Sequence, residues 1–250
     1  MDSYTDFAYL YDTFMEDVPY DEWGEFFDSL LKAYGDGVVK SVLDLGCGTG
    51  KMTRILASYG YEMMGVDSSE DMLSVARGID EEDDSSILYI NQDMRELELL
   101  DKQDAIISCC DCVNYLILDE DMESAFNSVH SALKDNGLFI FDFNTVYKYE
   151  TVIGDTTIAE SREDCSFIWE NYYSKEDHIN EYDITFFSKI DGEDELFRRF
   201  EETHIQRGYT LSEMEKFAKN AGFKVVVSLD ENTHKKPTSK SERIYLILRK

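Results

Sequence analysis

Two patterns of apolar and polar positions divide the chain. In the first, short unbroken apolar runs alternate with segments whose apolar residues recur every three or four positions, the marks of buried strands and of helices that pack by one face. Val42-Leu43-Asp44-Leu45 is the first run, and Lys51 to Tyr59 follows it with Met52, Ile55, Leu56 and Tyr59 on one helical face. Met63 to Val66 predicts a second strand. Ser68-Ser69-Glu70 then opens a helix with Met72, Leu73 and Ala76 on its apolar side. Asp80 to Ser86, dense in acid and serine, predicts a loop. Ile87 to Asn91, Asp104 to Cys110 and Gly137 to Phe143 predict three more strands, the last preceded by a helix over Asp121 to Leu133. Ahead of all these, Asp2 to Tyr34 predicts two helices broken at Pro19. Strands and helices alternating through short turns predict an α/β fold with a doubly wound parallel sheet.

The second pattern runs from Asn144 to about Gly208. After a short helix around Tyr147 to Val152 come β-prone aromatic runs: Ser166 to Tyr173, His178 to Ile190 and Glu195 to Gln206. Tyr182, Ile184, Phe186 and Ile190 alternate with polar residues, and Asp191-Gly192 is a hairpin signal. An antiparallel sheet inserted after the fifth strand is expected. Helical spacing returns over Leu211 to Ala221, ended by Gly222, before strands at Phe223 to Leu229 and Arg243 to Leu248 that close the main sheet.

Composition narrows the partners. The chain of 250 residues has length for one α/β domain with an insertion. It carries 24 Lys and Arg against 53 Asp and Glu, a formal charge of −29. A field of that sign repels nucleic acid and anionic lipid, so neither is an expected partner. No apolar stretch has bilayer-spanning length and the N-terminus has no leader pattern, which predicts a soluble, cytoplasmic protein. Five cysteines, three of them at 109, 110 and 112, match neither a disulfide framework nor a metal pattern and read as small buried hydrophobes.

The chemistry is concentrated after the first strand. Gly46-x-Gly48-x-Gly50 lets backbone approach a ligand, and Asp67 ends the second strand about twenty residues later, where a ribose-binding carboxylate belongs in a βαβ unit. Dinucleotide sites use a different spacing, G-x-G-x-x-G, and face a pyrophosphate. Asp44, placed just before the turn, disfavours that anion and suits a cofactor carrying an ammonium and a sulfonium. A ligand-free tight turn is the alternative.

On Leu43-Asp44-Leu45-Gly46-Cys47-Gly48-Thr49-Gly50 and the strand ends at Asp67, Asp93 and Asp111, the chain resembles the class I S-adenosylmethionine-dependent methyltransferases. It is most similar to the bacterial small-molecule type, the amino-sugar N-methyltransferases and glycine N-methyltransferase relatives, whose opening motif is matched by Phe7-Ala8-Tyr9-Leu10-Tyr11-Asp12. The resemblance implies a Rossmann-like seven-stranded sheet spanning 1–143 plus 209–250, with 144–208 as an inserted lid over the acceptor. It implies S-adenosylmethionine as cofactor. Gly46 and Gly48, with Cys47 between them, would line its methionine portion. Asp67 would hold the ribose, Ser68 and Met72 would flank the ring, and Asp93 with Met94 would read the adenine edge. Tyr11 would close over the cofactor, and Asp111 would lie near the methionine amino end. Each has a plainer alternative: Asp93 a turn cap, Met94 core, Tyr11 a staple between helix and sheet.

The expected reaction is methyl transfer to N or O of a small molecule by in-line displacement, which needs alignment and dryness more than a base, and no metal. The Asn/Asp-Pro-Pro-aromatic motif of exocyclic-amine methyltransferases is absent. Asp111-Cys112-Val113-Asn114-Tyr115 stands in its place. Phe143, Trp169, Tyr172, Tyr173, Phe186, Arg199 and His204 are candidates for the acceptor lid, with core of the insert or a homodimer face as the alternative. His204 and Tyr115 are the candidate bases. Three other readings remain open at this stage: a tRNA- or protein-modifying methyltransferase, a catalytically silent S-adenosylmethionine-binding module, and, least supported by the glycine spacing, an NAD-dependent oxidoreductase.

Overall fold

The computed structural model describes residues 18–82, 87–190 and 196–250. Tyr11, the Phe7–Asp12 motif, the first of the two N-terminal helices and the Asp191-Gly192 turn lie outside the described residues.

Helix α1, Tyr20–Tyr34, precedes the sheet. Then come β1 Ser41–Leu45, α2 Lys51–Ser58, β2 Glu62–Asp67, α3 Glu70–Glu82, β3 Leu88–Asn91, β4 Gln103–Ser108, α4 Asp119–Ala132 and β5 Leu133–Asn144. Four strands follow: β6 Thr157–Ser161, β7 Cys165–Ser174, β8 Ile179–Lys189 and β9 Phe197–Arg207. Helix α5 Leu211–Asn220 and strands β10 Lys224–Asp230 and β11 Arg243–Arg249 complete the chain.

The main sheet has seven strands in the order β10-β11-β5-β4-β1-β2-β3. It is parallel from β5 to β3 and antiparallel where β11 joins β5 and β10 joins β11. Strand residues alternate between two covered faces, which is why the runs read as continuously apolar. Leu43, Leu45, Ile106, Phe139 and Phe141 pack with α4 and α5 on one side. Val42, Ala105, Ile107, Leu138 and Ile140 pack with α1 and α2 on the other. The order reverses beside β1, so the loops leaving β1 and β4 part there and open a crevice at the carboxyl ends of the strands.

The insertion forms a separate antiparallel sheet, β6-β7-β8-β9. Its first strand, β6, was not expected: all five residues are exposed, so no apolar period marks it. Asp80 also departs from expectation. It belongs to α3 instead of a loop and is buried, because Arg54 lies 3.5 Å away and the Tyr89 hydroxyl 3.4 Å away. The helix expected from Asp121 starts at Asp119, and the short helix after β5 is a π-helical turn, Lys148–Ile153. Among the described residues no helix is long and apolar enough to cross a membrane.

Candidate active site at the carboxyl ends of the parallel strands

Beyond β1 the backbone turns through Gly46 (φ +80°), Gly48 (φ +54°) and Gly50 (φ +77°), conformations that favour glycine. At Gly46 the space is also closed, since a Cβ there would lie 2.7 Å from the Cys112 sulfur. At Gly48 a Cβ would meet nothing within 4 Å, so that turn leaves open room. The loop is tied to the next strand end by Asp67, whose carboxylate accepts the N–H groups of Gly48 and Ser69, both at 2.8 Å. Burial raises the Asp67 pKa, and those N–H groups oppose the rise.

Beneath the loop, Asp44 is fully buried. One carboxyl oxygen accepts the Thr53 hydroxyl at 2.6 Å, and the other has no partner. Burial pushes its pKa up to about 7. An orphaned acid under a glycine turn is a poor neighbour for a phosphate and a good one for a cation. The residues present therefore fit a cofactor that bears positive charge.

The loop opens into a cavity of about 560 Å³. Its wall includes Gly46, Cys47, Gly48, Asp67, Ser68, Met72, Asp93 and Met94, eight of the ten residues expected to bind the cofactor. Tyr115 and His204 are on the wall as well, the tyrosine hydroxyl 2.9 Å from His204 Nδ1 and 3.2 Å from the Tyr182 hydroxyl. Burial lowers the His204 pKa, which favours neutral imidazole. Tyr115 comes from the 3-10 turn after β4 and His204 from β9, so the cavity lies between the main sheet and the insert.

Several expected residues are placed otherwise. Asp111 is not on the wall. Arg243 holds one of its carboxyl oxygens at 2.6 Å and Gln206 the other at 2.8 Å, so it belongs to an ionic cluster with Asp142 instead of facing the cavity. Asp93 is on the wall, but Arg95 engages it through its backbone N–H and two guanidinium nitrogens, and it caps the turn Met94–Glu96. Of the seven lid candidates only His204 reaches the cavity. Phe143 is in the main core, Phe186 is buried in the insert and Arg199 pairs with Glu201. Cys47, Cys109 and Cys165 are buried as expected of small hydrophobes, whereas Cys110 and Cys112 are half-exposed at the cavity.

The expected set also omitted Tyr20, Lys51 and Glu202. Lys51, the first residue of α2, lies over the Tyr20 ring at 4.6 Å. Glu202 had a signal in the sequence: an acid alternating with Phe200 and His204 on one face of a β-period run.

An open α/β sheet with a glycine turn, an acidic second strand end and a cavity between them defines a nucleotide-cofactor enzyme of the Rossmann-like class. A methyltransferase domain family matches residues 42–137. "Putative methyltransferase YqeM" of Bacillus subtilis is 37% identical over 97% of this chain and 95% of its own length. The crystal structure of an S-adenosylmethionine-dependent methyltransferase from Clostridium acetobutylicum is similar at 30% identity and a TM-score of 0.87, covering 99% of both chains. The amino pentose methyltransferase CalS10 of Micromonospora echinaspora, 17% identical with a TM-score of 0.77 over 97% of this chain and 96% of its own, shares the fold. The chain belongs to the S-adenosylmethionine-dependent methyltransferases of class I, and S-adenosylmethionine is its methyl donor.

Proposed function

We propose that the enzyme methylates N or O of a small-molecule acceptor held between the glycine loop and the inserted sheet, with 1–143 plus 209–250 as the donor-binding domain and 144–208 as the acceptor subdomain. One observation carries this reading: a single cavity has the donor-side residues Gly46, Gly48 and Asp67 on its wall together with Tyr115, Glu202 and His204 at the insert. Its size suits one nucleoside and a modest partner. Asp67 would take the ribose hydroxyls, Ser68 and Met72 the ring, and Asp44 would supply the negative potential that a cationic donor needs. When bound, the donor supplies an electrophilic methyl group on a sulfonium.

The protein's part is positional. Gly48 leaves room for a close approach, and the insert covers the reacting atoms and limits their exposure to water. Neutral His204, bonded to the Tyr115 hydroxyl, is placed to accept a proton from an acceptor that must lose one. The net charge of −29 disfavours an RNA acceptor, and five free cysteines fit a reducing, cytoplasmic setting.

Incubation with S-adenosylmethionine and a panel of amines, amino sugars and phenols tests the proposal, with S-adenosylhomocysteine and methylated product read by mass spectrometry. Turnover of at least one class is expected. A folded protein that binds the donor and methylates none of them would support a silent binding module instead.

A further inference from the structure

Five carboxylates stand on the cavity wall: Asp67, Asp71, Asp93, Asp121 and Glu202. Three have a compensating partner, and a fourth sits at a helix N-terminus. Asp67 accepts two backbone N–H groups, Asp93 and Asp121 share Arg95, and Asp71 lies in the first turn of α3, where unpaired N–H groups favour negative charge. Glu202 is different. Among the described residues no cation or hydrogen-bond donor reaches its carboxylate. It is half-buried on β9, with Ile184 directly across and His204 next on the same face, paired with Tyr182. Burial raises its pKa, with no opposing charge. A half-buried acid with no counter-ion costs stability, and a ligand cation in the cavity removes that cost.

We propose that Glu202 determines acceptor specificity: it receives the ammonium group of an amine acceptor beside Tyr115 and His204, and so selects amines over alcohols. This rests on reading the cavity as the methyl-transfer site. The amine arrives protonated, its ammonium held by the Glu202 carboxylate, and one N–H proton passes to neutral His204 beside it. The freed lone pair on nitrogen forms the N–CH3 bond while the donor's S–CH3 bond breaks and its electron pair stays on sulfur. The proton then leaves His204 for solvent, and the product is the N-methylammonium ion.

Ligand-observed NMR titration of cyclohexylamine, a cation at pH 7, and of cyclohexanol into protein saturated with S-adenosylhomocysteine tests this without turnover. The amine is expected to bind about tenfold tighter than the alcohol, and E202Q to erase that preference while E202D keeps part of it. Glu201, paired with Arg199 on the opposite face, is the control: E201Q removes the same unit charge and leaves the preference intact. Equal binding of amine and alcohol, no binding of either, or equal weakening by E201Q overturns the assignment. Calorimetry with S-adenosylhomocysteine on the same samples separates the two levels. A wild-type protein that does not bind it sinks the cavity reading as well, whereas normal binding without amine preference sinks only the role of Glu202. Unchanged binding in E202Q shows that the variant is folded.

Discussion

Arg243 Nη2 stands 2.6 Å from Asp111 Oδ1, although 132 residues separate them in the chain. The same guanidinium reaches Asp142 at 2.7 Å, and Asp142 is buried with its pKa raised to about 6. Removing the cation leaves Asp111, Asp142 and Glu231, the last at 3.6 Å, without this counter-charge. Arg243→Met is therefore expected to destabilise the fold by about 3–5 kcal/mol, read as a lower urea midpoint with unchanged slope. A loss under about 1 kcal/mol would show that the cluster is solvated.

Asp67→Ala should weaken S-adenosylhomocysteine binding by about 1–3 kcal/mol through loss of charge-assisted bonds, measured by calorimetry. The variant also frees the Gly48 and Ser69 N–H groups, so circular dichroism must show a native fold. Unchanged affinity in a folded variant contradicts the ribose role.

The glycines differ in what a methyl group would do. Gly46→Ala places a Cβ 2.7 Å from the Cys112 sulfur at a φ of +80° and should cost both stability and donor affinity. Gly48→Ala meets no protein atom, so stability should fall by only about 1 kcal/mol from the left-handed backbone. Its donor affinity should fall further than that. Equal losses in both measurements would mean that the Gly48 turn does not approach the donor.

Asp44 gives a pH dependence of defined sign. Its carboxyl titrates at about 7 in the fold against an ordinary 3.8, so the folded protein prefers the proton. The stabilising contribution is complete below about pH 4 and is lost as pH rises through 7. A cationic donor prefers the ionised form and should bind more tightly as pH rises over that range. The thermal shift produced by S-adenosylmethionine should be larger at pH 8 than at pH 6. Asp44→Asn should flatten the difference, with a remainder from Asp67, whose pKa burial also raises. A pH-independent shift in the wild type would remove Asp44 from donor binding.

Tyr115→Phe and His204→Asn should slow turnover by about 10²-fold, the scale of general base assistance, and leave S-adenosylhomocysteine affinity in place. If both variants keep full activity, alignment alone suffices and the pair is structural.

The parallel half of the fold was legible because its apolar runs and glycine punctuation are local signals. Val42–Leu45 is buried on both faces and Gly46 must turn with positive φ, so neighbouring residues fix the first strand, the turn and Asp67 together. Sites made by distant pairs were not legible. Asp111 looks like any other acid at a strand end until Arg243 is placed beside it. The lid aromatics failed for another reason: period two says which residues share a face, not which part of that face overlies the cavity. His204 and Trp169 share the inner face of the insert, yet only His204 reaches the opening. Asp93 is on the cavity wall where the adenine edge was expected, and its pairing with Arg95, two residues on, was the part that spacing alone did not show.

Gln206, two residues beyond His204 on β9, is hydrogen-bonded to Asp111 at the tip of the central sheet, and Arg207 next to it is anchored to Asp119. The insert is thus welded to the scaffold at one end of β9, while Phe200 and Glu202 lie further along the same strand. Drift in substrate preference among descendants of this chain should accordingly accumulate toward the unanchored end, where a side chain can change without loosening the weld.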